Sequence, residues 1–186
     1  MSRGLRSSAR HGRLPATAAV SGRSAASVRG TVRLGGLVWP CALGRGGRRT
    51  RKREGDGATP VGCWRIAGVL YRADRVRRPP TRLPLRPIRP DDGWCDAPAD
   101  RNYNRAVRHP YPASAERLWR ADRLYDVVLV LAHNRTPRVR GGGSAIFMHL
   151  ARPGCAPTEG CIALRLEHLL RLLQRLGPGA RVRVLP

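Results

Sequence analysis

The stretch SAIFMHLARPGCAPTEGCIAL, Ser144 to Leu164, reads as an apolar run, a break and a second apolar run. Ser144 to Leu150 follows three glycines (Gly141 to Gly143) and is rich in apolar residues, including Ile146 and Phe147. That pattern predicts a buried strand after a turn. His149 falls at the end of that strand, where a rigid scaffold commonly presents functional side chains to a loop. Arg152-Pro153-Gly154 breaks the run, and Ala156 to Cys161 cannot continue as regular structure. Gly160 lets the backbone reach dihedrals that other residues avoid, directly before Cys161. From about Leu166 the pattern predicts a helix with Leu169, Leu170, Leu172, Leu173 and Leu176 as its apolar side, stopped by Gly177-Pro178-Gly179.

A histidine and a cysteine placed this way suit the base and nucleophile of a thiol acyl-transfer enzyme. A thiol near a helix start, with an imidazole partner, is expected to have a lowered pKa and to exist partly as thiolate. The amides at Gly160 and Cys161 are then candidates to hold an oxyanion. The same residues also suit an inert buried cysteine and a hydrogen-bonded structural histidine. Residue types and spacing alone leave both readings open.

Two segments together carry a resemblance. Thr158-Glu159-Gly160-Cys161, with His149 upstream on an apolar run, resembles the signature of the L,D-transpeptidase catalytic domain (the YkuD-type family): a histidine, a spacer, then Ser/Thr-x-Gly-Cys and an aliphatic residue. Lys52-Arg53-Glu54-Gly55-Asp56-Gly57-Ala58-Thr59-Pro60-Val61-Gly62 is similar to the family's K-x-G-D-x-x-T-P-x-G turn. The segments occur in the expected order, and the resemblance covers about residues 30 to 186. Three features depart from the common pattern. Glu159 stands where histidine is usual, Ala163 and Leu164 stand where Arg or Asn often follows the cysteine, and the spacer from His149 to Cys161 is short.

The resemblance implies a mainly β fold, a sandwich-like or barrel-like mixed sheet with a few short helices, over residues 28 to 186. It implies Cys161 as nucleophile, His149 as base, Gly160 and Thr158 in the oxyanion turn, and peptidoglycan stem peptides as substrate. The activity implied is 3-3 cross-linking, with L,D-carboxypeptidase or amide hydrolysis by the same dyad as alternatives. Arg152, three residues past His149, is a candidate for a substrate carboxylate because its planar fork matches such groups. The chemistry needs neither a metal nor an organic cofactor. The cell envelope or periplasm is the compartment the family implies.

The charge is the other conspicuous feature. Of 186 residues, 36 are Lys or Arg and 12 Asp or Glu, a net charge of +24, and Lys52 is the only lysine. Residues 1 to 53 hold 13 basic and no acidic residues. Residues 1 to 27, rich in Arg, Ser, Ala and Gly without an apolar block, predict a disordered basic tail. Ala16 to Val20 is too short for the roughly 7–15-residue apolar core of a secretory signal. No segment approaches the about 18 apolar residues of a membrane span. Such charge suits anionic envelope polymers. It also suits a nucleic acid, but only 5% of residues are aromatic and no helix-turn-helix, RNA-recognition or zinc-finger pattern is recognisable.

The remaining chain reads as strands and loops. Ser27 to Leu34 and Gly36 to Leu43 predict a hairpin around Gly35-Gly36. Trp64 to Tyr71 predicts a third strand, and Leu124 to Leu131 a central one, because it is almost continuously β-branched or leucine. Arg181 to Leu185 predicts a last short strand. Five prolines between Pro79 and Pro90 predict an extended surface segment. Asp91 to Tyr111 predicts a polar, turn-rich loop, either substrate-facing or ordinary surface. The five cysteines (41, 63, 95, 155 and 161) show no CxxC spacing. Zinc held by Cys155, Cys161 and a histidine, or a regulatory Cys155–Cys161 disulfide, is conceivable, against a simple loop cysteine at 155. His133, ending the central strand, is a further candidate to approach the site, whereas His109 and His168 read as structural or exposed.

Overall fold

The structure is a computed structural model that describes residues 16–186. Its strands, in chain order, are β1 (Thr17–Gly22), β2 (Arg29–Leu34), β3 (Leu37–Ala42), β4 (Arg48–Arg49), β5 (Thr59–Pro60), β6 (Gly62–Tyr71) and β7 (Leu85–Pro87). They continue with β8 (Asp92–Cys95), β9 (Ala106–Arg108), β10 (Ala115–Arg117), β11 (Val127–Leu131), β12 (Phe147–Leu150), β13 (Ile162–Leu164) and β14 (Arg181–Val184). One helix, α1 (Leu166–Leu173), lies between β13 and β14.

The main sheet runs β11-β12-β13-β3-β2-β1-β14-β6-β7, and β6 also pairs with β11. The eight strands from β11 to β6 therefore close into a barrel, with β7 parallel to the far part of β6. Closure leaves these strands without a free edge and gives each an inward and an outward face. Inward side chains such as Val20, Val32, Trp39, Leu129, Met148, Ile162, Leu164 and Val182 form one buried cluster, joined by Leu169, Leu172, Leu173 and Leu176 from α1 and its end. Truncating a fully buried member such as Leu129 to alanine costs about 2–5 kcal/mol.

A second cluster lies outside the wall formed by β11 and β12. There Val128, Val130, Phe147 and Cys161 pack with Trp94, Leu118 and Tyr125. The cover is a small antiparallel sheet, β10-β8-β9, with the segment leading to β11. Strand β11 is thus buried on both faces, which explains its unbroken apolar run.

The mainly β, barrel-like fold and the strands expected near residues 28–42, 64–71, 124–131 and 181–185 are all present. Several expectations need correction. Thr17–Gly22 is not part of a disordered tail: β1 pairs with β2 on one side and β14 on the other. Its residues are short and weakly apolar, and partners on both sides supply the stability that their local pattern does not. Residues 1–15 lie outside the described residues. Asp91 to Tyr111 is not a surface loop. It holds β8 and β9 and buries Trp94 and Tyr103, and Trp94 packs in the cluster outside the barrel wall. The strand before His149 begins only at Phe147, since Ala145 adopts φ 50° and interrupts the pairing. The helix expected from about Leu166 is present as α1, and β13 lies between it and Cys161.

Candidate active site

Strands β12 and β13 pair in parallel with Met148 opposite Ile162 and His149 opposite Ala163. Alternation sends Met148, Ile162 and Leu164 into the barrel core and leaves His149, Phe147, Cys161 and Ala163 on the outer face. Ordinary strand spacing then sets the Cα atoms of His149 and Cys161 about 8 Å apart. Both side chains line one cavity of about 440 Å³. The methyl group of Ala163, directly opposite His149, leaves room for the imidazole.

The turn before Cys161 is held by its own threonine and by the 52–62 segment. Thr158 Oγ1 donates to the Cys161 carbonyl at 2.6 Å and accepts the Gly160 amide at 3.3 Å. Thr59 Oγ1 accepts the Gly44 amide at 2.8 Å and points at the same Cys161 carbonyl. Gly160 sits at φ 121°, and a Cβ there would lie 2.8 Å from the Ala58 carbonyl oxygen. Only glycine allows both that dihedral and that approach. Lys52, its side chain 4% exposed, pairs with Asp56, whose carboxylate also accepts the Arg53 and Ala58 amides at 2.9 Å. Burial opposes ionisation of Asp56, but Lys52 and these amides outweigh it and hold the carboxyl below its usual range. The Lys-x-x-x-Asp turn is thus a buried clasp under the cysteine loop.

The thiol of Cys161 donates to the Ala145 carbonyl at 3.2 Å, and its sulfur accepts the Phe147 amide at 3.3 Å. His149 Nδ1 lies 2.9 Å from the Leu150 carbonyl. A carbonyl can only accept, so Nδ1 carries the proton and Nε2 is left with its lone pair. Among the described residues no hydrogen bond joins His149 to Cys161. Tyr125 lies edge-on to both His149 and Phe147, at ring distances of 5.3 and 5.9 Å.

Burial dominates the electrostatics here. It pushes the Cys161 thiol up to about 12, with the nearby Glu116 charge adding to the rise. It pulls His149 down to about 4, with Arg120 and Arg152 adding to the fall. The expected lowered thiol pKa is therefore corrected: the resting pair is neutral thiol and neutral imidazole. The reason is that Cys161 stands at the foot of a strand under an aromatic cover, not at a helix N-terminus.

The cavity is also lined by Glu54, Asp96, Glu116 and Glu159, and by Arg120 and Arg152. Arg120 is engaged bidentately by Asp122. Arg152 is exposed and makes no ion pair among the described residues. Glu54 accepts the Tyr103 hydroxyl, Glu116 the Tyr125 hydroxyl, and Glu159 pairs with Arg45 at 2.8 Å. Among the described residues, Asp96 Oδ1 is buried without a partner. Burial raises the pKa of Glu116.

A profile of the L,D-transpeptidase catalytic domain (YkuD) matches residues 25–184, most of the chain. The chain belongs to the L,D-transpeptidase catalytic-domain family. It is also similar to the crystal structure of Mycobacterium tuberculosis L,D-transpeptidase 1, at 13% identity and a TM-score of 0.39, over 92% of this chain and 62% of that one. The chain thus spans under two thirds of that protein's length. No curated protein matches it.

Of the expected site residues, His149, Cys161, Thr158 and Arg152 line the cavity, and Gly160 lies in the chain between the lining residues Glu159 and Cys161. Thr158 ties the turn to its own backbone, and its oxygen takes up the Gly160 amide. His133 stays apart in this transpeptidase-family domain. It bonds the Gly142 carbonyl at 2.9 Å and stacks edge-on against Trp64, next to the buried Lys52 clasp. Cys155 is free, as are the other four cysteines.

Sequence reading missed Asn104. Its Oδ1 accepts Trp94 Nε1 at 3.0 Å and the Ala145 amide at 3.2 Å, and its Nδ2 donates to the His133 and Asn134 carbonyls. Ala145 is the residue whose carbonyl holds the Cys161 thiol, so Asn104 positions the thiol through one intervening peptide. Nothing in the run Asp100-Arg101-Asn102-Tyr103-Asn104 separates this asparagine from Asn102, because its partners lie up to 41 residues away.

Proposed function

We propose that this domain is a cysteine acyltransferase acting on peptidoglycan stem peptides, with Cys161 as nucleophile and His149 as general base. The observation that carries the reading is the pairing of β12 with β13, which turns both side chains toward one cavity. In the resting state the thiol proton is hydrogen-bonded to the Ala145 carbonyl. On substrate binding it passes to Nε2 of His149, whose other nitrogen is already held by Leu150. The sulfur then bonds to the carbonyl carbon before the terminal D-amino acid. The oxyanion formed in that step faces the Cys161 amide, since Thr158 Oγ1 takes up the Gly160 amide; as it collapses, His149 gives the proton to the departing amine and a thioester remains.

The side-chain amine of a second stem completes the cycle. It attacks the thioester, His149 accepts its proton, and the thiol leaves reprotonated, giving a 3-3 cross-link between diamino-acid residues. Unpaired Arg152 suits a substrate carboxylate. The carboxylates of Glu54, Asp96 and Glu116 in the same cavity favour an ammonium-bearing acceptor over water. With water instead, the same steps give an L,D-carboxypeptidase.

Incubation with a carbapenem, followed by intact-protein mass spectrometry, tests the nucleophile. One added drug mass in the wild type and none in Cys161→Ala is the expected result; no adduct in the folded wild type overturns it. A synthetic tetrapeptide stem offered with a diamino-acid acceptor separates the two outcomes of the thioester. A cross-linked product supports transfer, and tripeptide alone supports hydrolysis.

A further inference from the structure

The wall of the barrel farthest from the cavity presents an exposed basic face. In the closed order, β1 and β14 stand four places round from β12 and β13. The strand register fixes which residues share their outer face. Val38, Arg33, Ala19, Arg183 and Cys63 are successive partners across β3, β2, β1, β14 and β6. Two residues along, Arg181 lies opposite Arg65. Beyond the end of β14, the Leu185 amide bonds the Val20 carbonyl, so alternation turns the Leu185 side chain outward beside Arg183.

Four guanidinium groups thus share one exposed face, and among the described residues none of Arg33, Arg65, Arg181 and Arg183 pairs with a carboxylate. A like-charged pair directly across a ladder, as Arg65 and Arg181 are, destabilises the sheet. The field extends past β6: burial, then the charges of Arg65 and Arg105, holds Arg135 below the ordinary guanidinium range. Interspersed with this charge are two of the few large apolar residues left exposed, Val38 at 46% and Leu185 at 38%.

We propose that this wall docks the domain on an anionic bilayer surface, with Arg33, Arg65, Arg181 and Arg183 on lipid phosphates and Val38 and Leu185 at the acyl boundary. Arginine forks match phosphate oxygens, and basic side chains near an anionic leaflet each add attraction. Interfacial binding scales with buried apolar area as well as with charge, which gives the two aliphatic side chains a purpose that a water-borne polyanion does not. The wall is the outside of a barrel and offers no stacking aromatics for a single strand. Docked this way, the domain turns its cavity away from the lipid. The proposal does not depend on which residue is the nucleophile.

The test is co-sedimentation of the full chain with vesicles of equal parts phosphatidylglycerol and phosphatidylcholine, and of phosphatidylcholine alone, at physiological salt. The variant Arg33→Gln/Arg65→Gln/Arg181→Gln/Arg183→Gln is compared with Arg77→Gln/Arg78→Gln/Arg101→Gln/Arg140→Gln, which removes equal charge from exposed positions elsewhere. The wall variant is expected to lose at least about tenfold in partition to the anionic vesicles and the control variant under about threefold. Val38→Asn/Leu185→Asn keeps every charge. It is expected to lose about threefold on vesicles and nothing on a double-stranded oligonucleotide. Equal losses from both charge variants overturn the proposal, as does a wild-type partition to neutral vesicles as strong as to anionic ones. If the aliphatic variant binds vesicles as the wild type does, the wall is a general polyanion surface and the lipid assignment fails.

Discussion

The wall formed by β12 and β13 and the wall formed by β1 and β14 stand opposite each other in one barrel and follow one inward rule. Met148, Ile162 and Leu164 on one side, and Val20 and Val182 on the other, fill the same core. Outward they differ. A second layer of Trp94, Leu118 and Tyr125 covers the first wall and removes water from His149 and Cys161. The second wall keeps its arginines in solvent. Strand alternation builds the barrel either way and leaves the outer face free to vary. An outward side chain becomes chemically unusual only where other segments cover it, since desolvation is the largest cause of both shifts at the candidate site.

The sharpest way to break this contrast is to change the covered wall. Cys161→Ala should abolish carbapenem acylation, read by intact mass, and leave vesicle partition unchanged. Cys161 is 8% exposed and makes two hydrogen bonds, so this variant is also expected to lose about 1–2 kcal/mol in a denaturant titration. His149→Gln should slow acylation about 10²–10⁴-fold in stopped-flow or timed mass measurements.

Titration sharpens the contrast further. With His149 at about 4 and Cys161 at about 12, the acylation rate should be nearly flat from roughly pH 5 to 9. An inflection near 6.5 would mean that the imidazole titrates as if in water. The sign for stability follows from a folded pKa below the unfolded value of 6.5. Stability tied to neutral His149 is complete above pH 6.5 and is lost as the pH falls toward 4, and His149→Gln should flatten that part of the unfolding profile.

Smaller effects probe the second layer and the loop. Asn104→Ala leaves Trp94 Nε1 and the Ala145 amide without their acceptor, which should cost about 2–4 kcal/mol by thermal or denaturant unfolding. Its acylation should slow about tenfold with the pH profile unchanged, the mark of a displaced thiol rather than a lost base. Cys155→Ala should change acylation by less than about twofold, since Cys155 is a free, partly exposed residue of a short turn.

The features read correctly from sequence are those with short-range signals. Apolar runs within Leu124 to Leu131 and Ser144 to Leu150, the leucine face of α1 and the Gly35-Gly36 turn announce themselves through local period and turn chemistry. The strand end at His149 and the glycine turn before Cys161 are local features of the same kind. Strand β1 was missed because Thr17 to Gly22 carries few large apolar residues, and its burial comes from β2 and β14. The β8–β9 pair was missed for a related reason. Its polar, turn-rich composition hides Trp94, which is apolar cover for a wall formed elsewhere in the chain.

The sequence by itself determined the barrel's inward face, the glycine at 160 and the two reactive residue types twelve positions apart, because each depends on backbone rules acting over a few residues. Only the tertiary structure decided their state and their neighbours. Parallel pairing of β12 with β13 turned both side chains to one cavity, and the distant aromatic layer raised one pKa and lowered the other. Closure of β6 on β11 put the arginine wall on the opposite side. Desolvation and charge proximity act through space, so residues far apart in the chain set them.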